Sequence, residues 1–80
     1  EKLRDIDTVE IAAFLRQKGR DVKVSLRAKQ YADVARVAAS RKGGGHPRAA
    51  GYTEYDITVA EAERIAVQLA EKELQACWKE

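Results

Sequence analysis

Apolar residues near the start of the chain fall on alternate positions. Over 8–16, Val9, Ile11, Ala13 and Leu15 share one side of a period-two pattern, although a short helix fits nearly as well. The following stretch decides between them. Gln17-Lys18-Gly19-Arg20-Asp21 is a polar turn around a glycine, and beyond it Val22, Val24 and Leu26 alternate with Lys23, Ser25 and Arg27. A β-hairpin is the economical reading, with the aliphatic side chains turned inward and the polar ones on the other face. From Tyr31 the period lengthens: Tyr31, Val34, Ala35 and Ala38 lie on one side of a helix that opens with Asp33 and closes with Arg41 and Lys42, as the helix dipole favours. This helix is expected to stop at Gly43. Ala49-Ala50-Gly51-Tyr52-Thr53 then reads as a short strand with close neighbours. Thr58-Val59-Ala60-Glu61 has the form of a capping box, and Val59, Ala62, Ala66, Leu69 and Ala70 make the buried stripe of a long final helix whose Glu and Lys residues face water. The order strand, strand, helix, strand, helix predicts an α+β domain, a small mixed β-sheet with both helices on one face and the other face open.

At 80 residues the chain has room for one domain and one modest core. A content of 45% hydrophobic and 35% charged residues is that of a globular protein. No apolar run is long enough to span a bilayer and no secretory leader opens the chain, so a cytoplasmic location is expected. The single cysteine, Cys77, cannot form an internal disulfide and has no second thiol or histidine at metal-ligand spacing.

Net charge is only +2, but its distribution is uneven. Between Arg16 and Arg48 there are ten basic residues against two acidic ones, and both flanks are net acidic. Such a basic middle either attracts a polyanion or forms a solvated face without a partner, and charge alone leaves both readings open.

Gly43-Gly44-Gly45-His46-Pro47-Arg48-Ala49-Ala50-Gly51 is the segment least explained by folding alone. One glycine suffices to cap a helix; three exceed that need, and each adds a loss of conformational entropy. Successive residues without side chains can turn several N–H groups to one concave side and form an anion nest. Pro47 biases His46 toward an extended conformation, from which the imidazole could donate to a phosphate oxygen, with Arg48 and Arg27 adding charge-assisted contacts. The plain alternative is a flexible glycine-rich loop with an incidental histidine. No second His, Cys or carboxylate sits near His46 at metal-ligand spacing.

Val24-Ser25-Leu26-Arg27, the helix after it and the run GGGHPRAAG together resemble the DHH-associated domain of the Asp-His-His phosphoesterases, over roughly residues 8–75. That superfamily includes single-strand exonucleases, oligoribonucleases that also act as phosphoadenosine-phosphate phosphatases, and cyclic-dinucleotide phosphodiesterases. The resemblance implies that the chain is one part of a larger phosphoesterase. Gly43, Gly44, Gly45 and His46, assisted by Arg27, would hold a substrate phosphate over a two-manganese (or magnesium) site in an N-terminal DHH catalytic domain. Ala49, Ala50 and Gly51 would keep the strand beneath thin. Two positions depart from the pattern of many relatives: Ala28 stands where they have Ser, and Lys42 where they have another Gly. Lys42 either adds charge or marks a loop entering at a different angle. Alanyl-tRNA synthetases end in a related domain without the GGGH-then-AAG arrangement.

By itself the chain is expected to be inactive, because two-metal hydrolysis needs several Asp and His ligands and only one His is present. Cys77, near a helix C-terminus, is a poor nucleophile, and Trp78 suits helix packing or contact with a further domain. Tyr52 and Tyr55 follow the motif directly and are the aromatic candidates for base stacking, with core packing the alternative for at least one. The expected partners are nucleotides or short single-stranded nucleic acid. A non-catalytic single-strand-binding module, a cyclic-dinucleotide phosphodiesterase domain and a protein-interaction domain are the competing readings.

Overall fold

In a computed structural model of the chain, the described residues are 3–8 and 10–78, without the side chains of Leu3, Arg4 and Trp78. Val9, expected on the inner side of the first hairpin strand, and the packing expected of Trp78 lie outside them. Seven elements follow one another: β1 (Leu3–Asp7), β2 (Ile11–Lys18), β3 (Asp21–Ala28), α1 (Val34–Ala39), β4 (Gly44–His46), β5 (Ala49–Glu54) and α2 (Val59–Trp78). The strands form one sheet in the order β1-β2-β3-β5-β4. All pairings are antiparallel, so the sheet is antiparallel where a mixed one was expected, while the α+β class stands.

The expected hairpin is β2–β3. Lys18 pairs with Asp21, and Gly19, the first of the two turn residues, takes φ 61°, which a primed hairpin turn requires and glycine adopts without strain. Ile11, Ala13 and Leu15 on β2 and Val22, Val24 and Leu26 on β3 enter one core with Tyr52 of β5, Val34, Val37 and Ala38 of α1, and Val59, Ala62 and Ala66 of α2. Leu69 and Ala70 pack partly against it.

Helix α1 starts later than its periodicity suggests. Asp33 is its N-cap rather than a first-turn residue: its carboxylate accepts the Arg36 N–H at 3.1 Å, and Tyr31 remains exposed ahead of the helix. The C-terminus is a Schellman motif. Lys42 N–H donates to the Ala39 carbonyl (3.1 Å) and Gly43 N–H to the Ala38 carbonyl (2.8 Å), while Lys42 itself carries the positive φ of 67°. The residue that turns the chain is therefore Lys42, in the conformation a glycine would take.

Thr58 caps α2 by accepting the Glu61 N–H at 3.2 Å, and the Glu61 carboxylate pairs with Arg64 at 2.6 Å. One acid of this helix departs from the expected exposed face. Glu73 is buried, taking the Arg36 guanidinium bidentately (2.7 and 3.0 Å) and the Asp33 N–H (3.0 Å), so it ties α2 to the start of α1. Burial pushes its carboxyl up, but Arg36, the Asp33 N–H and the Cys77 thiol outweigh this and hold it low. Cys77 is half-buried, donating to Glu73 at 3.2 Å, and that contact together with burial pushes its thiol up, away from nucleophilic use.

Candidate nucleic-acid interface

The helices cover one face of the sheet, and strand alternation puts the remaining residues on the other. Register orders them into rows. Asp7, Ala12, Arg27, Ala49 and His46 are successive cross-strand partners; beside them run Asp5, Phe14, Ser25, Gly51 and Gly44, and then Arg16, Lys23 and Thr53. Arg27 and His46 thus lie on the same face, two strands apart, with their Cα atoms roughly 10 Å from each other and only the Ala49 methyl between them. Both are exposed, and neither side chain has a hydrogen-bond or ion-pair partner among the described residues. Two side chains of that length can converge on one anion above Ala49.

Much of the basic character of the middle of the chain is spent internally. Arg20 pairs with Asp56, Lys29 with Asp7, Arg36 with Glu73 and Arg41 with Glu54. Lys23 and Arg27, on the open face, keep their charge for solvent or a ligand.

The glycines do not form the concave run of free N–H groups expected of a nest. Gly43 has given its N–H to Ala38, and Gly44–His46 is an edge strand paired with β5. The Ala28 N–H donates to the Arg48 carbonyl at 3.0 Å, which makes Arg27 and Ala49 a non-hydrogen-bonded pair. Antiparallel alternation then turns the polar backbone groups of Ala49 and Gly51 to β4, where they meet those of His46 and Gly44. Of the three glycines, Gly45 is the one whose N–H is aimed at the outer edge. Steric contact explains the composition instead. A Cβ on Gly43 would sit 2.2 Å from the Gly51 oxygen, and Gly45, at φ 144°, would place one 2.7 Å from the Ala50 Cα. Gly44 has open space around it.

Arg48 serves the scaffold. Its Nη1 donates to the Ala32 carbonyl at 2.7 Å, and together with Val34 N–H to Pro47 O (2.9 Å) and the Ala28–Arg48 bond it pins the turn after His46 onto residues 28–34. Glu10 anchors that stretch in turn. Only 3% exposed, it accepts the N–H groups of Gln30 (2.9 Å), Tyr31 (2.7 Å) and Ala32 (2.8 Å). Burial pushes its carboxyl up, but these three amides and the Arg48 charge more than offset this, so it titrates below its ordinary value. Glu10 had no periodic signal in the sequence, since its partners lie some twenty residues away.

Ala28 is buried on the helix side, opposite in parity to Arg27, so the Ser that many relatives have there would point away from the face bearing Arg27. Tyr52, offered from sequence as a stacking residue, is 4% exposed in the core; its hydroxyl has no partner, and burial, with Glu54 adding to it, pushes its pKa up to about 12. Tyr55 is 74% exposed, beyond the end of β5. Phe14 was passed over, although its parity on β2, opposite to Ile11, Ala13 and Leu15, already placed a large aromatic on the solvent side. Among the described residues no three His, Cys, Asp or Glu side chains gather where they could hold a metal ion, and no helix is long and apolar enough to cross a membrane.

A small antiparallel α+β domain with one sheet face left open, basic and lined by small residues, is the class that fold and site define. The chain belongs to the DHHA1 domain family, whose model matches residues 1–76. This is the DHH-associated domain of the DHH phosphoesterase superfamily, typically found with an N-terminal DHH domain. No curated protein matches the chain.

Proposed function

We propose that this domain is the substrate-holding part of a DHH-family phosphoesterase that hydrolyses short oligonucleotides or nucleotide phosphates. The observation that carries the reading is the row Arg27, Ala49, His46: two unpartnered side chains, one a fixed cation and the other a hydrogen-bond donor, flanking a methyl-sized gap on an otherwise open face. Here Arg27 and His46 grip the substrate phosphate, the outward N–H of Gly45 adds an edge donor, and Gly43 and Gly45, which have no room for a Cβ, keep β4 close to β5. Arg48 acts through the turn it pins. Manganese or magnesium would be held by the N-terminal DHH domain, and hydrolysis by this chain alone is not expected, since two-metal hydrolysis needs several converging Asp and His ligands.

The test is titration of the chain with 5′-phosphorylated and unphosphorylated short single strands, followed by amide NMR. Saturable shifts at Arg27, Gly45 and His46 that need the terminal phosphate, and that weaken at least tenfold in Arg27→Ala, support the reading. Equal affinity for both strands, with a steep salt dependence, would instead identify a non-catalytic single-strand-binding module.

A further inference from the structure

The phosphate row occupies one end of the open face, and the next row holds the least expected residue on it. Phe14 sits mid-sheet on solvent parity, 45% exposed and outside the core cluster that takes its neighbours Ala13 and Leu15. Its cross-strand partners are Asp5 and Ser25, and the strand beyond Ser25 contributes Gly51, which has no side chain. Space therefore stays open beside the ring. A cavity of about 370 Å³ lies against the ring on the side away from Arg27, toward the row of Arg16 and Lys23, lined by Phe14, Asp5, Arg16, Lys23, Ser25 and Leu15.

We propose that Phe14 is a stacking platform for a nucleobase of a single-stranded nucleotide ligand, the base carried by the same nucleotide whose phosphate Arg27 and His46 hold. The inference rests on the phosphate reading above and adds the second half of the ligand. Arg27 is the diagonal neighbour of Phe14, one strand and one row away, a spacing of about 7–8 Å. One sugar bridges a separation of that order. Polarity along the face matches a nucleotide: cationic Arg27 at the phosphate end, an apolar ring next, and at the β1 edge the Asp5 carboxylate, which accepts N–H donors from a base and repels phosphate. Charge complementarity argues against an apolar protein surface as the occupant, because covering Phe14 would also desolvate Lys23 without giving it a partner. A planar, anionic ligand satisfies the ring and the cations together.

The experiment compares two probes, a 5′-phosphorylated dinucleotide and ribose 5-phosphate, on the wild-type chain, Phe14→Leu, Phe14→Trp and Arg27→Ala, with thermal melts to confirm folding. The dinucleotide should shift the Phe14 ring protons of the wild type by ring current, and ribose 5-phosphate should leave them in place. Phe14→Leu should weaken the dinucleotide by about 5- to 100-fold and ribose 5-phosphate by less than twofold, with Phe14→Trp restoring affinity. Arg27→Ala should weaken both probes. Equal loss of both probes in Phe14→Leu, or dinucleotide binding with no movement of the ring signals, overturns the stacking proposal and leaves the phosphate site standing. Stacking shifts that persist unchanged in Arg27→Ala overturn the phosphate reading and the claim that one nucleotide spans both groups. Absence of saturable binding by either probe overturns both.

Discussion

Replacing Glu10 with Gln should destabilise the domain far more than a single change in a strand-to-strand connection normally does. The native carboxylate is nearly inaccessible and takes three backbone N–H groups at 2.7–2.9 Å, with the Arg48 charge nearby. Hydrogen bonds to a charged acceptor contribute roughly 1.5–3 kcal/mol each. All three N–H groups converge on Oε2, so glutamine can put its amide oxygen there, but it removes the negative charge that these donors and Arg48 address and turns an NH2 toward the Gln30 N–H, which reaches Oε1 at 3.1 Å. A net loss of about 2–4 kcal/mol follows, and for a domain of this size that lowers Tm by on the order of 10–25 °C. The pH dependence identifies the cause. The carboxyl titrates lower in the folded chain than its ordinary value near 4.5, so its contribution is fully present above that pH and is lost as pH falls through the folded value. Glu73, also held low, is common to both proteins and cancels in the difference. Chemical denaturation of wild type and Glu10→Gln between pH 7 and pH 3 should therefore show a constant gap down to about pH 5 that narrows below it. A gap under about 1 kcal/mol, or one that stays the same across this range, would refute the anchoring role.

Lys42→Gly should stabilise the domain by about 1 kcal/mol, because it relieves a non-glycine residue at φ 67° in the Schellman turn; a lower Tm in the melt would show that the Lys42 side chain contributes more than the strain. Gly44→Ala should fold with a Tm within a few degrees of wild type, whereas Gly43→Ala should lose about 1–3 kcal/mol by overpacking against Gly51 and Tyr52. Thermal melts of the pair would contradict the steric account if both were equally tolerated.

The elements legible in the sequence are those whose side chains carry a period. Val22, Val24 and Leu26 announce β3, and Val59, Ala62 and Ala66 announce α2, because burial on one side repeats every second or every third to fourth residue. Strand β1 escaped notice because an edge strand needs little anchoring: Ile6 alone of its described side chains packs on the core. Strand β4 is Gly-Gly-His, with no apolar residue to set a phase; it exists because the Schellman turn at Lys42 and Gly43 delivers the backbone alongside β5. Arg27 and His46 were legible as candidates, and their shared row was not, since that depends on β5 lying between β3 and β4.

The pairing register also explains why GGGH and AAG belong together. Gly44 faces Gly51, Gly45 faces Ala50 and His46 faces Ala49, so the two halves of the motif are the two strands of one hairpin with the turn Pro47-Arg48 between them. Each half limits the other. Gly43 must lack a Cβ because Gly51 and Tyr52 occupy that space, Gly45 because Ala49 and Ala50 do, and Gly51 because the Val24 oxygen would lie 2.9 Å from a Cβ there. A larger residue at any of these places would lift β4 from β5 or β5 from β3. His46 would then leave the row of Arg27, although the imidazole itself was untouched. In the function proposed above the glycines would therefore act through geometry: they bring an edge strand close enough, and hold it flat enough, for a side chain at its end to work with one two strands away.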